Sequence, residues 1–421
     1  MRKITGDVAG IRHEVAADED LDAATLARLA ELGLGTQPLP HLEAMVAAQL
    51  RRPQVRVLTA RLQTHPYNRP ALTTAGRYLV SGSAADDAGQ THTYTFFVKH
   101  VQAWRKSPLS AEVPEPQRSQ LAPLMPWRTE PDIYRGDLGR HLPHGLRLPH
   151  AYHVTDLDDE SAAIWLDRVP LRRVQWDLAR HRHAAYLLGR LAANASVAPL
   201  AAQVPVGRTA RRFAEHWLAV NVVPELTSED LWQQPHVAAT FDPQLRRRIL
   251  RAAAALPTLI DELESLPTAT AHGDACTDNL LLTHFDNTIV LIDFGFWGAA
   301  PIGFDLGQLL LGEIQLGRRP AQAFPELEDA CLPAYVQGLR DEGCTTPVHQ
   351  VRRAHAIATT IFHAIPSIPY EHRTAEGGPE LQTLFAHRAA MARYILDLLD
   401  ATDEEHRHAA TRPPTGTHGN L

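Results

Sequence analysis

Hydrophobic positions divide the chain into regions with different periodicities. Up to residue 54, Leu21, Leu26 and Leu29 recur at helical spacing, and a second helical pattern follows in 42–50. Between 55 and about 168, runs of β-branched and aromatic residues alternate with turn formers, which is typical of antiparallel strands. The predicted strands are 55–67, 76–84, 91–101, 148–157 and 161–169, with one helix at 127–142 before the last two.

From residue 169 to about 400, amphipathic helical patterns dominate, interrupted by a short strand-like segment at 279–295. We therefore predict an α+β protein with a small, antiparallel, β-rich lobe and a larger, mainly helical lobe. The predicted units are a helical N-terminal extension at 1–54, the small lobe at 55–168 and the helical lobe at 169–400. Residues 401–421 are polar and aperiodic, which predicts a disordered tail.

Composition narrows the function classes. The formal net charge is −7, without a long basic stripe, so neither nucleic acid nor a membrane surface is expected as a partner. No signal-peptide pattern and no apolar run of ~18 residues is visible, and the three cysteines show no CxxC spacing. We expect a cytoplasmic protein, and the sequence leaves its oligomeric state open.

Lysine is rare in this chain. Of 41 basic residues only Lys3, Lys99 and Lys106 are lysines, and arginine fills the other positions. Arginine and lysine are not interchangeable at a phosphate site, so a lysine that persists here is a candidate for a specific role.

The segment HGDACTDN at 272–279, followed by IDFG at 292–295, carries the strongest chemical signal. Phosphoryl transfer from a nucleotide needs oxygen ligands for Mg²⁺ and one acceptor for the proton of the attacking hydroxyl. Asp274, Asn279 and Asp293 supply such a set. A hairpin with strands at 280–282 and 289–292 and a turn at 285–288 is expected to bring Asp293 back beside Asn279.

This spacing resembles the aminoglycoside phosphotransferase family, which shares the protein-kinase architecture. The resemblance implies that Asp274 accepts the hydroxyl proton or orients the hydroxyl, that Asn279 binds one Mg²⁺, and that Asp293 bridges both metal ions. His272 belongs to the same motif and is expected to support the loop. Asp305 matches a family position whose carboxylate accepts backbone hydrogen bonds from the catalytic loop; a helix N-cap is the simpler alternative. Where the family commonly has Pro-Gly before the Asn, this chain has a different loop sequence, which predicts an altered loop shape.

The family resemblance also implies a lysine on the third strand that binds the α- and β-phosphates of ATP. Lys99 stands at that place, and a helix carboxylate is expected to hold it. Glu130 is our choice for this carboxylate, since Pro131 is tolerated in a first helical turn, with Asp132 or Asp137 as alternatives.

The segment at 165–170, which joins the two lobes, resembles the family segment that offers backbone groups to adenine, and this resemblance implies contacts at Asp167 and Val169. Packing of an edge strand is the alternative explanation of this segment. A glycine-rich phosphate loop is absent from the sequence. Between the first two strands, Asn68, Thr73 and Thr74 could still contact phosphates, although an ordinary polar turn explains them equally well.

We therefore expect an enzyme that uses ATP and Mg²⁺ to phosphorylate a hydroxyl group of a small molecule, such as an aminoglycoside-like antibiotic, a sugar or an amino alcohol. A cationic acceptor would favour carboxylates in the pocket, for which Glu313 and Glu371 are candidates. The alternatives are a kinase-like nucleotide-binding module without turnover and a protein kinase. The short segment between Asp293 and Asp305 and the missing A-P-E sequence disfavour a protein kinase.

Overall fold

A computed structural model describes residues 21–66, 72–111, 113–115, 117–170, 174–204, 209–283, 287–370 and 378–411, with the backbone alone at 406–411. The helices are α1 Ala23–Leu29, α2 Pro38–Leu50, α3 Pro108–Ala111, α4 Gln117–Leu121, α5 Thr129–Arg135, α6 Leu138–His141, α7 Leu178–Ala193, α8 Ala198–Ala202, α9 Ala210–Phe213, α10 Val223–Thr227, α11 Glu229–Gln233, α12 Pro235–Thr240, α13 Pro243–Ala254, α14 Leu256–Ser265, α15 Phe304–Gln315, α16 Phe324–Asp341, α17 Val348–Thr359 and α18 Pro379–Thr411. The strands are β1 Val55–Thr64, β2 Thr74–Asp86, β3 Thr91–Gln102, β4 Leu146–Arg147, β5 Ala151–Asp158, β6 Ser161–Asp167, β7 Thr268–Ala271, β8 Leu280–Leu282, β9 Ile289–Leu291 and β10 Gly298–Pro301.

The small lobe is built on a five-stranded antiparallel sheet in the order β1-β2-β3-β6-β5. Because successive side chains of a strand point to opposite faces, alternate residues of β2, β3 and β6 share one face. Phe96, Val98 and Trp165 lie on that face in one buried core with Leu29 and Leu42 of the first two helices. The N-terminal helices thus cover one face of the sheet. The other face carries Lys99, which contacts Asp293 of the large lobe, and we call the region between the two lobes at this contact the cleft.

The large lobe holds the main hydrophobic core, to which most of the helices after residue 177 contribute. Two small sheets cross it: β7 pairs with β10, and β4 and β8 flank β9. The hairpin of β8 and β9 pairs Leu280 with Leu291 and Leu282 with Ile289. Residues 285 and 286 of its predicted turn lie outside the described residues. The small sheets place the 272–279 loop and Asp293 at the edge of this lobe.

The predicted fold class is confirmed: an antiparallel β-rich lobe precedes a larger helical lobe. The predicted helix at 127–142 is instead two short helices, because Gly136 adopts an extended conformation after α5.

The prediction of a disordered tail from residue 401 is wrong for 401–411, which continue α18. This end of α18 has few apolar residues, and its described contacts are made instead by polar side chains that bind neighbouring residues of α17. Arg352 pairs with Glu405 at 2.5 Å, and the buried Arg353 lies 3.4 Å from Asp403. Thr402 is only 1% exposed. Residues 412–421 lie outside the described part of the chain.

Candidate active site

Lys99 lies on the cleft face of β3 and joins the two lobes through ion pairs. Its Nζ donates to Oε2 of Glu130 at 2.5 Å and to Oδ1 of Asp293 at 2.9 Å. Lys99 and Glu130 are 5% and 4% exposed, so this pair is buried. The alternative partners point elsewhere, since Asp132 binds Arg135 and Asp137 binds His141. Of the three carboxylates considered for Lys99, the structure brings Glu130 to it.

The two carboxylates keep Lys99 charged. Burial alone would lower the pKa of Lys99, but the negative charges of Asp293 and Glu130 outweigh burial and raise this pKa above its ordinary value. Burial likewise disfavours the ionised form of Asp293, yet the charge of Lys99 holds the pKa of that carboxyl below its usual range. Burial also raises the pKa of Glu130, against the charge of Lys99. The cleft therefore contains a charged ammonium group beside the ionised carboxylate of Asp293.

The loop at 272–279 makes a tight turn at Gly273, which has a φ of 84°. A Cβ at Gly273 would lie 2.0 Å from the carbonyl oxygen of Phe296, so the close approach of two backbone segments requires glycine here. This packing presses the loop against the segment that follows Asp293.

Asp305, in the first turn of α15, binds the backbone of the same loop. Its carboxylate accepts the N–H of His272 at 2.8 Å and the N–H of Gly273 at 2.9 Å. The N-cap alternative is wrong, because Gly303 is the N-cap of α15 and the carboxylate is turned toward the loop. Burial raises the pKa of Asp305 to about 6, against the effect of the two N–H groups, which favour the ionised form.

His272 links the two functional segments through both ring nitrogens. Nδ1 lies 3.3 Å from the N–H of Asp274 and accepts its hydrogen bond, so Nε2 carries the proton and donates to the carbonyl of Ile292 at 2.9 Å. Complete burial lowers the pKa of His272 to about 4. The imidazole is therefore neutral near pH 7. Its two hydrogen bonds connect the 272–279 loop to Ile292, the residue before Asp293.

Asp274 and Asn279 face each other across the loop. Nδ2 of Asn279 donates to the carbonyl of Asp274 at 2.9 Å and to its Oδ2 at 3.0 Å. With the amide nitrogen turned to Asp274, the amide oxygen of Asn279 is the atom that could bind a metal ion. Asp293 follows β9 with φ 64° and ψ 62°, a left-handed conformation that is uncommon for a residue other than glycine. Such backbone strain is concentrated at functional sites.

The expected Mg²⁺ fits the chemistry of these donors. Mg²⁺ binds oxygen ligands and takes one or two carboxylates together with phosphates and water. Asp293 provides a carboxylate whose side chain is 36% exposed, and Asn279 provides an amide oxygen. Within the described ranges, no group of three or more His, Cys, Asp and Glu side chains forms a preassembled metal site. One carboxylate and one amide oxygen match the small number of protein ligands that Mg²⁺ takes when phosphate oxygens and water complete its coordination.

The predicted adenine segment lies at the end of β6. The carboxylate of Asp167 accepts from Tyr152 at 2.8 Å and from Gln49 of α2 at 3.2 Å, on the face covered by the N-terminal helices. The N–H of Asp167 donates to the carbonyl of His150. Asp167 could therefore offer adenine only its carbonyl group, whereas Val169 is half-buried just after the strand.

Of the residues suggested for covering the phosphates, Asn68 lies outside the described residues. Thr74 begins β2, and the carbonyl of Thr73 accepts the N–H of Gln102 at 2.8 Å. Sequence reasoning missed Arg77, which the strand register places directly opposite Lys99. A strand pairing is not visible in one sequence, although the alternation within 76–84 already set Arg77 apart from the core face.

A family model described as the phosphotransferase enzyme family matches residues 136–340, a little under half of the chain. The match includes the 272–279 loop, Asp293 and Asp305. Over residues 136–340 the chain is therefore similar to the phosphotransferase enzyme family. No curated protein matches the sequence.

Solved structures that are similar to this chain include an aminoglycoside phosphotransferase from Alicyclobacillus acidocaldarius. The two share 15% sequence identity with a TM-score of 0.45, and the alignment covers 82% of this chain and 92% of that one. A choline kinase from Cryptosporidium parvum is similar at 14% identity and a TM-score of 0.43, covering 83% of this chain and 91% of that one. None of the described helices is long and apolar enough to cross a membrane.

Residues 276–278 stand where members of the aminoglycoside phosphotransferase family commonly have Pro-Gly, and they dock the loop onto α15. Asp278 forms a bidentate pair with Arg318 at 2.8 and 3.1 Å. A Cβ at Gly312 would lie 3.2 Å from Cβ of Cys276, so glycine admits the loop here. Burial, aided by the charges of Asp274 and Asp278, raises the pKa of Cys276 to about 12, so this thiol is unreactive near neutral pH.

Proposed function

We propose that the protein transfers the γ-phosphoryl group of ATP to a hydroxyl group of a small molecule. The observation that carries this proposal is the ion pairing of Lys99 with Glu130 and Asp293 across the cleft, beside the pair formed by Asp274 and Asn279. Phosphoryl transfer depends on positioning and charge stabilisation, and this arrangement supplies cationic, metal-binding and proton-accepting groups together.

In the proposed reaction, the acceptor oxygen attacks the γ-phosphorus and the bond between that phosphorus and the β,γ-bridging oxygen breaks, releasing ADP. The hydroxyl proton passes to the carboxylate of Asp274, which also orients the hydroxyl. Lys99 binds the α- and β-phosphates, and Glu130 positions its ammonium group. Mg²⁺ bound by Asn279 and Asp293 would neutralise phosphate charge. His272 and Asp305 hold the loop that carries Asp274.

A small acceptor is favoured over a protein because little chain separates Asp293 from Asp305. A single turn of 3₁₀ helix, Phe294–Phe296, and the strand β10 occupy this interval, and β10 is paired with β7. A long activation segment that could bind a polypeptide substrate has no place there.

Two carboxylates of this region are already paired with arginines. Glu313, suggested as a carboxylate for a cationic acceptor, binds Arg319 at 3.0 Å, and Asp278 is paired with Arg318. Glu371 lies outside the described residues. The acceptor panel should therefore include neutral sugars as well as aminoglycosides and amino alcohols.

The proposal is tested by measuring acceptor-stimulated ADP release from Mg·ATP, with the phosphorylated product identified by mass spectrometry. Asp274→Asn should lower kcat by roughly 10²- to 10⁴-fold, the usual contribution of a positioned proton acceptor. Asp278→Asn, in the same loop but paired with Arg318, is the matched control and should stay within a few-fold of wild type. ATP binding without turnover on any acceptor would favour a nucleotide-binding module, and no ATP binding would refute the proposal.

A further inference from the structure

Arg77 lies beside Lys99 on the neighbouring strand. In the antiparallel pairing of β2 and β3, Arg77 is the direct partner of Lys99. Directly opposite residues of such a pair have Cβ atoms about 4.5–5.5 Å apart and side chains on the same face of the sheet. The two basic side chains therefore leave the sheet together.

The face that they share is the cleft face. Val80 of β2 and Val98 of β3 lie in the core beneath the N-terminal helices. Arg77 and Lys99 are an odd number of residues from these positions along regular stretches of strand, so they point to the opposite side. The contact of Lys99 with Asp293, which belongs to the large lobe, shows that this side of the sheet is directed toward the cleft.

The charge balance of the cleft favours a second cation for an incoming phosphate. Lys99 already binds two carboxylates, Glu130 and Asp293. A nucleotide polyphosphate adds further negative charge at this place, and a guanidinium group can bind phosphate oxygens with two parallel hydrogen bonds.

The position of Arg77 along β2 also suits a phosphate contact. Its carbonyl accepts the N–H of His65 at 2.8 Å, where β1 leads into the connection to β2. Arg77 is half-buried at the cleft end of the strand rather than on the outer surface.

We propose that Arg77 is a second phosphate-binding cation, which grips the polyphosphate of the nucleotide together with Lys99. This inference rests on the proposed function, because it assigns a residue to the same nucleotide site. It adds a ligand contact from β2 that the family motifs in 272–305 do not contain.

The test compares the binding of adenosine, ADP and ATP to wild type, Arg77→Met and Arg77→Gln by calorimetry. Both substitutions should weaken ADP and ATP binding by roughly 10- to 100-fold, the usual effect of losing charge-assisted hydrogen bonds, and leave adenosine binding unchanged. Arg56→Met is the matched control. Arg56 lies on β1 opposite Ala85, eight residues and about 26 Å along β2 from Arg77, and its loss should change none of the three affinities.

Unchanged ADP binding in the Arg77 variants would overturn the inference, and so would an equal loss of adenosine and ADP binding, which marks a structural role. If Arg77→Met does not fold, the same comparison with Arg77→Gln decides. Failure of the wild type to bind ATP would refute the proposed function and this inference together. Wild-type turnover with normal ADP affinity in the variants would refute only the role of Arg77.

Discussion

In the small lobe the buried ammonium group of Lys99 is held by two carboxylates, whereas in the large lobe the buried carboxylate of Asp305 is held by two backbone N–H groups. The first arrangement uses flexible side chains that can exchange partners when a phosphate enters the cleft. The second fixes the backbone of the catalytic loop with dipoles that cannot move away. The comparison suggests that the small lobe adapts to the nucleotide while the large lobe keeps the reacting groups in place.

Breaking the charge pair of the small lobe should have the largest effect on stability. Lys99→Met leaves Glu130 buried without its cation and should lower the free energy of unfolding by about 3–5 kcal/mol. Urea unfolding measures this change. Lys106→Met is the matched control, because the pair of Lys106 with Asp158 is partly exposed and should contribute at most about 1 kcal/mol. In Lys99→Met/Glu130→Met, stability should recover while ATP turnover does not; an equal cost for both lysines would contradict the account.

Removing the carboxylate of Asp305 should lower the free energy of unfolding less than removing Lys99 does, but it should lower kcat directly. Asp305→Ala leaves two buried N–H groups without an acceptor, which should lower the free energy of unfolding by about 2–4 kcal/mol. Because the loop carries Asp274, kcat should fall while the KM for ATP stays near wild type. Asp242→Ala, which removes a helix N-cap on the surface, should cost about 1 kcal/mol and leave kcat unchanged. A purely KM effect in Asp305→Ala would argue against separate roles for the two lobes.

The buried, neutral imidazole of His272 should make the free energy of unfolding depend on pH. The folded pKa of His272, about 4, lies below that of an unfolded chain, so unfolding takes up a proton between about pH 6.5 and 4. Stability should therefore fall as pH decreases through this window, by up to about 3 kcal/mol from His272. The pKa of Asp305, raised to about 6, contributes the opposite slope, so the net loss should be smaller.

His272→Gln should flatten this acid loss in unfolding curves recorded at pH 7.5, 6 and 5. If the wild-type and His272→Gln profiles were parallel, the imidazole would not be held neutral.

The smallest effect is expected where the N-terminal helices meet the sheet. Gln49→Leu removes hydrogen bonds to the carbonyl of Thr95 and to Asp167 and should lower the free energy of unfolding by about 1 kcal/mol. The exposed Gln382→Leu is the control and should lie within about 0.5 kcal/mol of wild type. A loss above 3 kcal/mol would make this contact as important as the charge pair of Lys99.

Local patterns in the sequence were enough to predict the two-lobe fold, because the change from strand to helix periodicity is visible in the order of hydrophobic residues. The rarity of lysine also singled out Lys99, which the fold places against Glu130. Features that depend on the pairing of distant segments could not be found this way. The side of the sheet to which Asp167 points, the partner strand of Arg77 and the anchoring of 401–411 by α17 all arise from tertiary contacts.

The most direct test of the account is a crystal structure with ADP and Mn²⁺, in which anomalous scattering locates the metal. We expect the β-phosphate at Lys99 Nζ and the metal within about 2–2.3 Å of oxygens of Asp293 and Asn279. Lys99 would then have exchanged its contact with Asp293 for the phosphate while keeping Glu130. A nucleotide or metal bound elsewhere, with Lys99 still joined to both carboxylates, would contradict the central claim that this cleft binds the phosphates.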